Sequence, residues 1–104
     1  MNIVRKLRNR WIAYLLRRAA AELRQREVED IPFTDFDNTL AFADFLDAAA
    51  GQFQRGESEV GKRLWFIFAP TCDWDNAGGS QFLGNLIYGA LDRKEFAPRE
   101  SSGH

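Results

Sequence analysis

With 104 residues, 45% of them apolar and including nine Phe and three Trp, the chain suits one domain that buries roughly two-thirds of the surface its unfolded form exposes; this excludes a disordered chain and one that needs a disulfide or metal to fold. The net charge of −1 conceals an asymmetry, because residues 1–27 hold eight Arg or Lys against Glu22 and Glu27, whereas residues 28–60 hold eight Asp or Glu against Arg55. The two segments are expected to lie side by side and cancel each other's field, and so nearly neutral a chain argues against nucleic acid as a partner.

The first predicted element is a long amphipathic helix over about residues 3–26. Val4, Leu7, Trp11, Tyr14 and Leu15 recur at spacings of three and four, and Ala19, Ala20 and Leu23 continue on an adjoining stripe. Arg8 and Arg18 fall inside that apolar arc, where their stems can cover hydrophobic surface or their heads can meet acidic residues downstream. Ile31-Pro32 breaks the pattern, and Asp37 or Asn38 is expected to start the second helix. There Phe42, Phe45, Leu46, Ala49 and Phe53 follow one helical face, and Arg55-Gly56 ends it.

Ser58 is expected to cap a third helix carrying Val60, Leu64, Ile67 and Phe68 on one face, stopped by Ala69-Pro70. Residues 64–69, LWFIFA, also suit a buried strand, which would make the fold α+β. Helix is preferred, because a lone strand leaves its backbone groups without partners. The last helix is expected to start at Ser80, to bury Phe82, Leu83, Leu86, Ile87, Ala90 and Leu91, and to fray after Lys94. The expected fold is therefore all-α: a compact bundle of about four helices forming a single domain over residues 1–96, with a Pro/Gly-containing loop before the last helix. A disordered tail is expected over residues 97–104.

That loop, APTCDWDNAGGS, carries the densest group of polar and aromatic residues. Its start resembles a calcium loop, but Ala77 and Gly84 stand at positions where oxygen ligands are required, so no metal is assigned. Asp73 and Asp75 could in principle divide the acid and base roles of a hydrolase or hold a cation with water. Cys72 has no histidine near it in sequence, since the one histidine is His104, and neither a serine triad nor a phosphate loop is present. No catalytic residue or cofactor is assigned. The structural alternative is a lock: Thr71 and Asp73 accept turn N–H groups, Trp74 folds over the core, Gly78-Gly79 permits positive φ, and Asn85 ties the last helix to the loop. Asp75 and Asn76 are left without a local partner.

The stretch RLWFIFAPTCDWDNAGG, followed by LGNLIYGAL, resembles the C-terminal halves of small all-helical bacterial proteins of unassigned function that share a W-x-x-F-A-P-T-x-D-W-D segment before a helix with G-N-x-I-[FY]. In size and composition the chain is also similar to immunity proteins that neutralise a toxin. What these resemblances imply is a protein partner. An acidic, Phe-rich face containing Asp35, Phe36, Asp37, Asp44 and Asp47, together with Asp73, Trp74, Asp75, Asn76 and Asn85, is the expected binding surface, with Trp74 or Phe36 as anchors. A carboxylate-based metal or hydrolytic site at residues 73–76 is the alternative. The third reading is a polyanion or membrane-surface binder acting through Arg5, Lys6, Arg10 and Arg17. The lone Cys72 and the early interruption of WIAYLL by Arg17-Arg18, too soon for a signal peptide, point to the cytoplasm, and no stretch is long enough to span a membrane.

Overall fold

The computed structural model describes residues 3–91 and 93–97. It is an all-α bundle of α1 (Ile3–Arg24), α2 (Thr39–Gln54), α3 (Gly61–Phe68), α4 (Asp73–Asn76), α5 (Gln81–Ala90) and α6 (Arg93–Phe96). Among the described residues the sole extended pairing is an isolated bridge between Asp30 and Asn38. No helix is long and apolar enough to cross a membrane among those residues. The tail expectation, apart from Ala97, and His104 lie outside the described residues.

α1 and α2 form an antiparallel pair. Small residues at the contact, Ala13, Ala19 and Ala20 on α1 and Ala43, Ala49 and Ala50 on α2, are buried and let the two backbones come close around Ile12, Leu16, Leu23, Phe42, Leu46 and Phe53. The apolar stripe read from the sequence is therefore corrected: α1 buries its Ile12–Leu16–Ala20–Leu23 side, while Val4, Leu7, Trp11 and Tyr14 face outward. Arg8, expected to cover apolar surface or to meet a carboxylate, does both: its guanidinium stacks 5.3 Å from the Phe96 ring centroid and bonds Glu95 at 2.6 Å.

Asn38 caps α2 through its side-chain oxygen, which accepts the Ala41 N–H at 2.8 Å, and Gly56 at φ +83° closes the other end. Residues 64–68 are helical rather than extended. Leu64, Ile67 and Phe68 are buried and Phe66 is exposed, a spacing that only a helix gives. Ser58 does not cap α3 with its side chain; its carbonyl accepts the Gly61 N–H instead. The last helix is two elements. Leu91 turns extended at ψ 116°, and this bend brings Phe96 back against Gly61 and edge-on to Phe53. Phe82 and Leu86, expected in the core, are exposed. α5 lies against α1 and runs antiparallel to it, since Glu22 accepts the Ser80 N–H at 2.7 Å and Arg8 meets Glu95.

Candidate functional site

The segment expected to be a loop contains one turn of helix, α4, and its polar side chains are engaged in holding the chain. Asp75 Oδ2 accepts the Thr71 N–H at 2.7 Å, across a turn in which Thr71 sits at φ +63°. Asp73 Oδ2 accepts the Asp35 N–H at 3.2 Å, and Asn76 Nδ2 donates to the Phe33 carbonyl at 3.1 Å. Asp75 and Asn76 thus have the local partners that sequence reasoning could not supply, and the 31–38 segment is pinned to α4 from both sides.

Trp74 is the centre of this arrangement. Its side chain is 1% exposed, lies between Phe42 and Phe68, and donates from Nε1 to the Ser80 carbonyl at 2.8 Å. Gly79 and Gly84 pack against the indole so closely that a Cβ on either would lie within 2.0 and 2.6 Å of ring atoms. Trp74 is therefore a core residue and offers no free surface as an anchor. Asn85 is exposed rather than partly buried, and it shares with Asp75 a depression of about 80 Å³, room for water rather than an organic ligand. Since Asp73 and Asp75 each accept a backbone N–H from a different segment, they lack the convergence that a hydrolytic pair requires. Among the described residues no three His, Cys, Asp or Glu side chains gather as a metal site requires.

The expected acidic face is largely turned onto the basic helix. Arg24 bonds both Asp44, at 2.6 Å, and Asp47, and Arg17 approaches Asp47 at 3.6 Å. These hydrogen bonds, from Asp47 first and Asp44 second, raise the Arg24 guanidinium above its ordinary pKa. Asp35 lies 3.9 Å from Arg63, whose guanidinium covers the rings of Phe36 and Phe45 at 5.4 and 4.6 Å. Phe36 is stacked on Phe42 with centroids 4.4 Å apart, so one of its faces belongs to the core. Asp37 alone of this set is exposed with its side chain uncommitted by hydrogen bond or ion pair among the described residues.

What the structure exposes instead is the outer stripe of α1. Val4, Leu7, Trp11 and Tyr14 are 71%, 58%, 48% and 55% exposed, and the last two stack with centroids 5.8 Å apart. Lys6, Arg10, Arg17 and Arg18 are exposed along the same half of the helix. α5 adds two large apolar side chains on its solvent side, Phe82 at 76% and Leu86 at 36% exposure. The sequence signal was the 4-7-11-14 spacing itself, which coexists with a second apolar stripe on one helix; a domain of this size has core for one of them. Isolated exposed apolar residues are ordinary, whereas these four are aligned over three helical turns. Against family models, characterised proteins and solved structures, this chain gives no match.

Proposed function

We propose that this protein is a binding module, in type an adaptor or immunity protein, whose docking face is the N-terminal half of α1. The observation that carries the reading is the exposed Val4-Leu7-Trp11-Tyr14 stripe on a helix whose opposite side is fully buried. Spacings of three, four and three are those of a seam between two helices, so the partner contributes an amphipathic helix laid along this stripe. The cations Lys6, Arg10 and Arg18 along the seam select a partner helix with acidic flanks. A second copy of this chain is disfavoured, because pairing two stripes flanked by the same cations brings like charges together. Asp44 and Asp47, held by Arg24, support the internal pairing of α1 with α2, which moves the docking surface from the acidic side to the basic one.

The test is site-specific photo-crosslinking in the native cells from position 7, with position 48, an exposed site on α2, as control. A discrete adduct from position 7 that is absent from position 48, is lost with Trp11→Ser and maps to an acidic helical segment supports the assignment. Equal labelling from both positions sinks it. Trp and Tyr bordered by Arg and Lys also suit an anionic lipid surface. Co-sedimentation with phosphatidylserine vesicles but not phosphatidylcholine vesicles moves the assignment there. The half-exposed thiol of Cys72 fits a reducing compartment, and we place the protein in the cytoplasm.

A further inference from the structure

We infer that a cleft between the N-terminal end of α1 and the C-terminal turn of α2 binds a small organic anion, a carboxylate or phosphate monoester carried on an apolar body. The cleft has a volume of about 360 Å³ and is lined by Lys6, Asn9, Arg10, Phe53, Gln54 and Arg55, within the range of small-molecule sites. Every polar side chain in that wall presents donors. Lys6, Arg10 and Arg55 are cations, and among the described residues no carboxylate lines the cleft.

The two amides are oriented by their neighbours. Asn9, 5% exposed and buried in its own right, receives Arg8 Nε at 3.3 Å and Nη2 at 3.0 Å on its Oδ1. Gln54 receives Arg17 Nη2 on its Oε1 at 2.9 Å. With both oxygens occupied, the groups that Asn9 and Gln54 offer are their amide N–H donors. No buried side-chain donor lacks a partner among the described residues, so the Asn9 amide nitrogen is open to water, which an acceptor ligand displaces.

The carbonyls of Gly51, Gln52 and Phe53 accept the backbone N–H groups of Arg55, Gly56 and Glu57, which weakens the opposition of this helix end to an anion, and the three cations of the cleft must outweigh the remainder. Glu57 is a competing carboxylate that holds Arg55 loosely at 3.4 Å. Phe53 is buried beneath the cleft, and the apolar surface open to a ligand is that of the methylene stems of Lys6, Arg10 and Arg55. A ligand with a charged end and a hydrocarbon or aryl body therefore gains both the cationic heads and those stems, whereas a bare anion gains only the first. The same chemistry could be delivered by a free metabolite or by an acidic side chain of a bound peptide. The apolar body separates the two.

The experiment is a two-dimensional amide NMR titration of the intact chain with phenyl phosphate, inorganic phosphate, benzyl alcohol and the capped dipeptide Asp-Glu. Saturable shifts confined to the side-chain amides of Asn9 and Gln54 and the backbone of Arg55 and Gly56 are expected. Phenyl phosphate should bind about tenfold or more tightly than inorganic phosphate, from burial of the ring. Arg55→Glu and Lys6→Glu should each weaken it about tenfold, while Glu57→Gln should tighten it about twofold, since a competing carboxylate is removed. Equal affinity for phenyl phosphate and inorganic phosphate, equal affinity for benzyl alcohol, or shifts centred elsewhere overturns the inference, as does the absence of any shift at about 20 mM ligand. Tighter binding of the dipeptide than of phenyl phosphate overturns the free-ligand form and assigns the cleft to an acidic peptide.

Discussion

Replacing Gly79 by alanine tests whether Trp74 is locked as the structure shows. Residue 79 does not need glycine for its backbone, because its φ is not positive. It needs glycine for space: the new methyl would stand 2.0, 2.3 and 2.5 Å from Trp74 Cε2, Cδ2 and Cζ2, where carbon atoms rest about 3.5–4.0 Å apart. The indole must retreat by roughly 1.5 Å, and its motion is blocked on the far side by Phe42 and Phe68. Two costs then add. Overpacking costs about 1–3 kcal/mol, and displacement of Nε1 from the Ser80 carbonyl, now at 2.8 Å, costs about 1 kcal/mol or more for a buried donor. The expected destabilisation is about 3 kcal/mol, measured by urea unfolding followed by far-UV circular dichroism. In a Trp74→Leu background the same substitution should cost less than about 0.5 kcal/mol, because the atoms it strikes are gone. A Gly79→Ala protein as stable as the parent, or an equal loss in both backgrounds, would refute the close-packed indole.

Gly89 sits in the same helix as Gly84 but has nothing within 4 Å of its would-be Cβ, so Gly89→Ala should stabilise by about 0.5–1 kcal/mol through helix propensity, raising the urea midpoint. Thr71 is a β-branched residue at φ +63°; Thr71→Gly should relieve about 1 kcal/mol of strain, seen as a higher melting temperature, and a loss instead would show that its Oγ1 bond to Pro70 at 2.6 Å outweighs the strain. Trp11→Ser and Leu7→Ser should leave unfolding free energy within about 0.5 kcal/mol of the parent, since these side chains lie outside the core. Arg24→Gln should cost at most about 1 kcal/mol in low salt, a difference that shrinks in high salt, because Arg24 and Asp44 are exposed and Asp47 is only half-buried.

The second helix was legible throughout, since Asn38, the Phe42–Leu46–Ala49–Phe53 face and the Arg55-Gly56 ending all give the same boundaries. The third was legible as an apolar run and ambiguous in period until one face, Leu64, Ile67 and Phe68, was seen to be buried. The break at Leu91 leaves no mark in a pattern of apolar residues, because it is set by Phe96 packing against Gly61. Among the site residues, Gly78-Gly79 was read as a pair permitting positive φ, which Gly78 alone adopts, whereas Gly79 and Gly84 have an indole packed against them. The acidic face read from charge alone lost Asp44 and Asp47 to Arg24, a partner twenty or more residues away.

The sequence by itself determined the helical class, the Asn38 cap with the Arg55-Gly56 ending of α2, and the opposing charges of the first two segments, because each depends on neighbours within a turn or two of the chain. Only the tertiary structure decided which of the two apolar stripes of α1 entered the core, where Asp73, Asp75 and Asn76 found their partners, and that residues 6–10 and 53–56 share a cleft. The physical reason is competition for a limited interior. α2 presents alanines that fit the Ala13–Ala20 side of α1, so that side was buried, and the Val4–Tyr14 side was left outside.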